Sequence, residues 1–345
     1  MKKSKISMVD IAARLKISTT TVSFILNGKA KEKRISDELT ERVLKLVEEV
    51  GYRPNQSAQT LRTGKTKIIG LMLEDISDPF FASIAKHIQD IAYEHGYKLI
   101  YCSTENGKKR AREFLQMFQQ LGVDGYIITA PPGLEEDIQA LVDSGKKIVL
   151  FDRQLKNVSA DYVTIDNPES AYKGVQHLVS QGYRKIAFFT LSSQQPQMAG
   201  RLKGYDRAMT EHGLPRTVHK LAYSPDYTSY VDKIADIIKA DQHTEAVFFG
   251  ASYLGIAGVE ALSRLDINIP QDMAVVSFDD LDLFRLNRPT ITAIAQPIMQ
   301  LAQSSVDRLL DNINDLKKGK KENKGVVLPT LLLPRESSMR KPSGA

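Results

Sequence analysis

A single cysteine in 345 residues leaves no route to an internal disulfide. That residue, Cys102, lies in the apolar run KLIYCS and reads as a buried structural thiol rather than a nucleophile. No stretch approaches the ~18–20 consecutive apolar residues that a membrane span needs. The N-terminus is basic but lacks the apolar core of a secretory signal, so a cytoplasmic location is expected. A P-loop, a GxSxG nucleophile elbow, a HExxH pair and a zinc-type Cys/His cluster are all absent. These absences argue against the commoner enzyme classes, and neither cofactor nor metal is expected. Asp152, Asp166 and Asp279 would suit a paired-carboxylate glycosidase. Carboxylates at strand ends in a binding cleft account for them without catalysis.

What is present is unevenly placed. The net charge is +6, yet residues 1–67 hold 15 Lys/Arg against 7 Asp/Glu, leaving 32 against 34 for the rest. Basic excess confined to one small module is the electrostatic footprint of a nucleic-acid binder. A merely solvated basic terminus would show the same charge, so the helical pattern has to decide.

Met8, Ile11, Ala12 and Leu15 recur at helical spacing, with Ser7 placed as cap and Asp10 in the first turn. A tight turn at Lys16–Ser18 follows, and Ser18 caps a second short helix whose Val22, Ile25 and Leu26 face inward. The opposite face shows Thr20, Ser23, Phe24 and Asn27, with Thr19 near the helix start. Small hydroxyls there suit close approach to phosphates and base edges. Phe24 fits two roles, contact with a thymine methyl or packing on a neighbouring helix. A third helix starts near Ser36, carries Leu39, Val43, Leu46, Val47 and Val50 on one face, and ends at Gly51.

The motifs VDIAARLKIS, TVSFILNGK, GYRPNQSAQTLRTGKT and IIGLMLEDISDPFF, in that order, make the chain resemble the LacI/GalR family of bacterial transcription regulators almost end to end. The insertion KAKEKRISD, with FGASYLGIAG and TAIAQP, is most similar to its fructose-repressor (catabolite repressor/activator) branch. The resemblance implies that Ser18, Thr19, Thr20, Ser23, Phe24, Asn27 and Tyr52 face double-stranded operator DNA. Many relatives carry Arg where Phe24 stands, so their base preference does not transfer. It further implies a hinge helix over Asn55–Arg62, with Asn55 and Ala58 at the DNA and Leu61 as a wedge that kinks the duplex.

From Ile68 onward, apolar runs alternate with helical patterns. IIGLML, KLIYCS, GYIITA and KIVLF read as strands; after DNPES the cycle restarts with KIAFFT, HKLAYS, AVFFG and MAVVSF. Two rounds of βαβ units predict an α/β core of two doubly wound parallel-sheet lobes, similar to the type I periplasmic-binding-protein fold. The expected boundaries are a helix-turn-helix domain at 1–54, a hinge and linker at 55–67, and an effector-binding, dimerising core at 68–340. Within the core an N-lobe spans about 68–165 and 297–324, and a C-lobe about 166–296 and 325–340. The tail beyond Arg335, and 341–345 in particular, is expected to be disordered, and its polarity favours a homodimer over a tetramer.

Ligands of such sheets bind beyond the carboxyl ends of the strands. Asp78 and Phe80, then Asp152 and Arg153, then Arg201 and Asp279 are the candidates there, Phe80 as a stacking platform for a sugar. Arg153 fits equally as a partner of Asp152, and Asp166 and Asn167 fit a helix cap better than a ligand contact. The resemblance adds Tyr227 as an aromatic platform and Gln296 at an interlobe crossover. Relatives usually carry Asn-Asp after the AVFF strand; Ser252-Tyr253 stands here, which makes Tyr253 a candidate and a plain neutral-sugar site doubtful. Arg153, Arg201 and Arg335 are the candidates for an anionic group, so a sugar phosphate is the leading small-molecule effector. The rival reading of the core alone is a solute-binding protein without DNA function.

Overall fold

The computed structural model describes residues 6–52, 64–224, 226–241, 243–315 and 324–340. The chain divides into two compact units at Thr66/Lys67.

The first unit is helical. Met8–Leu15 opens with a reciprocal capping box between Ser7 and Asp10, and ends where Lys16 turns left-handed at φ 53°. Ser18 caps Thr19–Leu26, and Ser36 caps Asp37–Glu49. Their apolar stripes meet in a small core of Ile11, Ala12, Val22, Ile25 and Val43. The hinge residues Asn55, Ala58 and Leu61 lie outside the described residues, as does 341–345.

The second unit holds two sheets. The first contains β1 (Ile68–Leu73), β2 (Lys98–Ser103), β3 (Gly125–Ile128), β4 (Ile148–Phe151), β5 (Asp161–Ile165) and β11 (Gly325–Leu328), in the order β11-β5-β4-β3-β1-β2, all parallel. The second contains β6 (Ile186–Leu191), β7 (Thr217–Leu221), β8 (Ala246–Phe249), β9 (Ala274–Phe278), β10 (Thr292–Ala295) and β12 (Leu331–Leu333), in the order β12-β10-β9-β8-β6-β7. Only β12 runs antiparallel to its neighbour. Strands such as β3, β4, β8 and β9 are buried end to end, as parallel strands covered on both faces must be. Each sheet reverses direction beside its first strand, between β1 and β3 and between β6 and β8, which creates the crevice where open α/β sheets hold ligands.

Three details depart from expectation. β5 lies outside the strands expected from the sequence, because DYVTI is only alternately buried and lacks the continuous apolar run of its neighbours. Gly325–Leu328 pairs in register with Tyr162–Ile165, so this segment belongs to the N-lobe sheet and the last crossing to the C-lobe falls after Leu328, not at 325. Residues 336–340 are ordered rather than a loose tail. Ser337 Oγ accepts from Thr292 N at 2.8 Å and donates to Val275 O at 2.6 Å, while Ser338 Oγ bonds His177 Nε2 at 2.7 Å. Both serines are fully buried and satisfy backbone and side-chain groups beside β9 and β10.

Candidate ligand cleft and nucleic-acid interface

Asp152 and Asp279 stand immediately beyond β4 and β9, with left-handed φ of 68° and 66°. Asp tolerates this region better than most residues, and buried side chains held so cluster at functional sites. Arg153, 2% exposed, donates from Nη2 to Glu74 Oε2 at 2.5 Å and from Nε to Asp152 Oδ2 at 3.1 Å. Gln197, turned so that its amide oxygen faces the guanidinium, accepts from Nε and Nη2 at 3.1 Å. Burial opposes this arginine's charge, but Glu74 and Asp152 outweigh it and hold the group above its ordinary value.

Arg201 is also buried. Its Nε donates to Asn167 Oδ1 at 2.9 Å, its Nη1 to Gly250 O at 2.8 Å, and its guanidinium lies 3.7 Å over the Phe278 ring. Burial pulls it below its ordinary value, with the charges of Asp279 and Asp152 acting the other way. Gln296 Nε2 donates to Asp279 Oδ1 at 2.6 Å. Burial raises the Asp279 carboxyl, and Arg201 and Gln296 restrain the rise.

The lobes meet over these groups. Ser252 Oγ of the C-lobe donates to Asp78 Oδ2 of the N-lobe at 3.3 Å, and Gln195 Nε2 donates to Asn106 Oδ1 at 3.0 Å. Asp78 also caps the Pro79–Glu94 helix, accepting from Phe80 N at 2.8 Å. Burial, then the charge of Asp279, pushes its carboxyl up to about 7. Tyr253 packs 5.6 Å from Tyr230, and burial, then Glu74, pushes its hydroxyl well above the ordinary value. Four carboxylates (Glu74, Asp78, Asp152, Asp279) thus surround two guanidinium groups. Among the described residues no group of His, Cys, Asp and Glu is placed to hold a metal ion.

Of the residues expected in the cleft, Asp78, Asp152, Arg153, Arg201, Tyr253, Asp279 and Gln296 gather there. Phe80, Tyr227 and Arg335 do not take their expected roles. Phe80 is a core side chain, its ring 5.0 Å from Phe81 and 6.3 Å from Phe151, because Pro79 starts the helix and turns position 80 onto the sheet. Tyr227 opens its helix behind the Asp226 cap and reaches outward, where its hydroxyl donates to Glu260 Oε2 at 2.8 Å. Arg335 forks onto Asp280, Nη1 to Oδ1 at 2.7 Å and Nη2 to Oδ2 at 2.9 Å, with Nη1 also on Ile291 O at 2.9 Å. It clamps the loop after β9 instead of facing the crevice. Sequence reasoning missed Glu74, Asn106, Gln195 and Gln197. The strand-end rule reaches Glu74, one residue past β1; the two glutamines sit in SSQQPQ, where only Pro196 marks the start of a helix.

In the first unit, Ser18 Oγ accepts from Thr21 N at 2.9 Å, so its hydroxyl is engaged in capping. Thr19 and Thr20 are exposed, and Asn27 Nδ2 donates to Ser23 O at 2.6 Å. Phe24 is half-buried but lies outside the apolar cluster of the three helices. Tyr52 packs against that cluster and donates its amide to Val47 O at 3.0 Å, which gives it a structural part.

Residues 7–55 match the family model of bacterial regulatory proteins of the lacI family, and residues 175–338 match a periplasmic binding protein-like domain. Catabolite control protein A of Priestia megaterium is 28% identical over 311 residues, covering 90% of this chain and 93% of that protein. The helix-turn-helix domain belongs to the LacI family. A LacI-family helix-turn-helix makes the chain a DNA-binding transcription regulator, and the relatives it matches are regulators rather than enzymes. The same fold recurs in the lac repressor dimer bound to operator and an anti-inducer, at a TM-score of 0.84, 20% identity and coverage of 98% of this chain and 100% of that one. A LacI-family regulator from Enterococcus faecium with bound ribose superposes at 0.70, with 25% identity over 78% of this chain and 98% of that one. No helix among the described residues is long and apolar enough to cross a membrane.

Proposed function

We propose that this LacI-family regulator is a homodimeric, effector-gated repressor of carbohydrate metabolism, with a sugar or sugar phosphate as the effector held between the core lobes. Two headpieces would read a palindromic operator, since two-fold protein symmetry imposes matching half-sites. Leu61 in the hinge is the wedge, and Leu61→Ala weakens operator binding while leaving effector binding unchanged. The observation that carries the reading is the buried cluster of carboxylates and guanidinium groups contributed by both lobes at the strand ends. Such groups bind vicinal hydroxyls in pairs, accepting with carboxylate oxygens and donating from the planar fork of arginine. A ligand seated among them makes different contacts in the open and closed lobes, and only that difference can shift an equilibrium.

Of the two effector classes, charge supports the uncharged sugar. Arg153 is already paired with Glu74 and Asp152, and Arg335 is committed to Asp280, so of the three arginines Arg201 alone would remain to meet a phosphate, with the Asp279 carboxyl beside it. The ribose-bound Enterococcus faecium relative supports the same class. A thermal-shift screen pairing each neutral pentose and hexose with its phosphate tests this. A neutral sugar raises the midpoint of the wild type and not of Arg201→Ala; a shift only with phosphorylated partners would overturn the preference for an uncharged ligand.

A further inference from the structure

The helix Thr19–Leu26 carries no charged side chain, so it lacks the Arg or Lys that makes the commonest guanine contact. Its exposed polar groups are Thr19 and Thr20, while the half-buried Ser23 is bonded by Asn27, the residue that caps the helix end. Phe24 is the large side chain left on that face. Among the described residues it lies outside the apolar cluster that joins the three helices, although it is half-buried.

A cation does reach this ring from outside the helix. Lys33 Nζ lies 5.5 Å from the Phe24 ring centre, within the range of a cation–π contact. The segment after the helix sets that position. Gly28 turns left-handed at φ 72°, Lys29 N returns to Phe24 O at 2.9 Å, and Lys33 N bonds Lys29 O at 3.0 Å. Ala30 is buried in the core and its carbonyl accepts from Ile35 N at 2.9 Å, which fixes the turn at its far end. Lys33 also meets Glu32 at 3.1 Å, but both side chains are exposed, and such surface pairs yield readily to a stronger anion.

We propose that Phe24 and Lys33 form one composite DNA contact: the ring meets a thymine C5-methyl in the major groove, and the Lys33 ammonium takes the flanking phosphate. The reading rests on the headpiece being the DNA-binding element, and it adds what that element recognises. An apolar side chain against the thymine methyl carries sequence information, whereas a lysine on phosphate fixes register and adds salt-dependent affinity. The pair divides between two residues what a single arginine on the helix would do alone.

The test uses the full-length protein and a duplex operator selected from a random library. Each thymine of the operator is replaced in turn by deoxyuridine, which removes only the methyl group. One position per half-site is expected to lower wild-type affinity roughly fourfold, the value of one buried methyl. Phe24→Ala is expected to be insensitive at that position alone. Lys33→Met keeps the thymine sensitivity and reduces the slope of log affinity against log salt by about 0.9 per headpiece. Because the deoxyuridine scan is made on the wild type, it stands even if Phe24→Ala folds poorly. An operator with no methyl-sensitive thymine, or an unchanged salt slope in Lys33→Met, overturns the proposal. Failure to enrich any duplex would remove the DNA-binding reading beneath it as well.

Discussion

Arg201 and Arg335 present the same guanidinium to different tasks. Arg201 is buried and lies in the cluster between the lobes, whereas Arg335 is partly buried and forks onto Asp280 behind β9. Removing one partner of a desolvated, bidentate pair leaves the other charge uncompensated. Arg335→Met is therefore expected to cost about 2–3 kcal/mol of core stability in denaturant unfolding, while the effector response survives. Asp78 makes a pH prediction. Its carboxyl is raised to about 7, well above its value in an unfolded chain, so the folded core favours the protonated form. Stability from this group is full below about pH 4 and is lost as pH rises through 7. The thermal midpoint of the core should fall between about pH 4 and 7 and level off above, and Asp78→Asn should flatten that part of the profile. At this scale the strand-end rule located most of the cleft residues. That rule misplaced Phe80, while Tyr227, carried over from the resemblance, and Arg335, offered for an anionic group, were misplaced because sequence names a side chain and not its partner; Glu260 and Asp280 supply those partners only through the fold.

The helices Asn167–Ser180 and Pro196–Glu211 hold the clearest constraint among the elements. A Cβ at Gly204 would stand 2.0 Å from Pro168 O, which allows the two backbones their close approach. Asn167 and Arg201, one on each helix, are joined at 2.9 Å because of it. Gly204→Ala must push the helices apart, and about 3 kcal/mol of destabilisation is expected, with the Arg201–Asn167 bond disturbed as well. Unfolding midpoints together with effector affinity measure both effects. The helices and buried strands were legible in the sequence through their periods and their caps. β5 was not, since a half-buried alternating strand beside turn residues gives a weak signal. β11 was placed in the wrong lobe because nothing local in GVVL distinguishes one parallel sheet edge from another; the pairing with β5 is a long-range fact. The order at 336–340 was equally hidden, since polar serines buried by hydrogen bonds carry no apolar pattern.

For the molecule as a whole, the sequence joins a basic helical headpiece to a two-lobed core, and the lobes close over a charged, hydrogen-bonded cluster. The interlobe bonds Ser252–Asp78 and Gln195–Asn106, with Gln197 on Arg153, form a set that a ligand can replace or reinforce. A switch of this kind needs differential affinity for the two lobe arrangements, and coupling of 5–150-fold is typical. The central claim is that occupancy of this cleft sets affinity for DNA. It is tested most directly by operator affinity of the full-length protein, by fluorescence anisotropy, with and without the stabilising sugar, in wild type and Arg201→Ala. The account predicts a change of at least about fivefold in the wild type. It predicts none in Arg201→Ala, whose sugar-free operator affinity stays at the wild-type value. A full sugar response in Arg201→Ala, or sugar binding that leaves wild-type operator affinity unchanged, would contradict it.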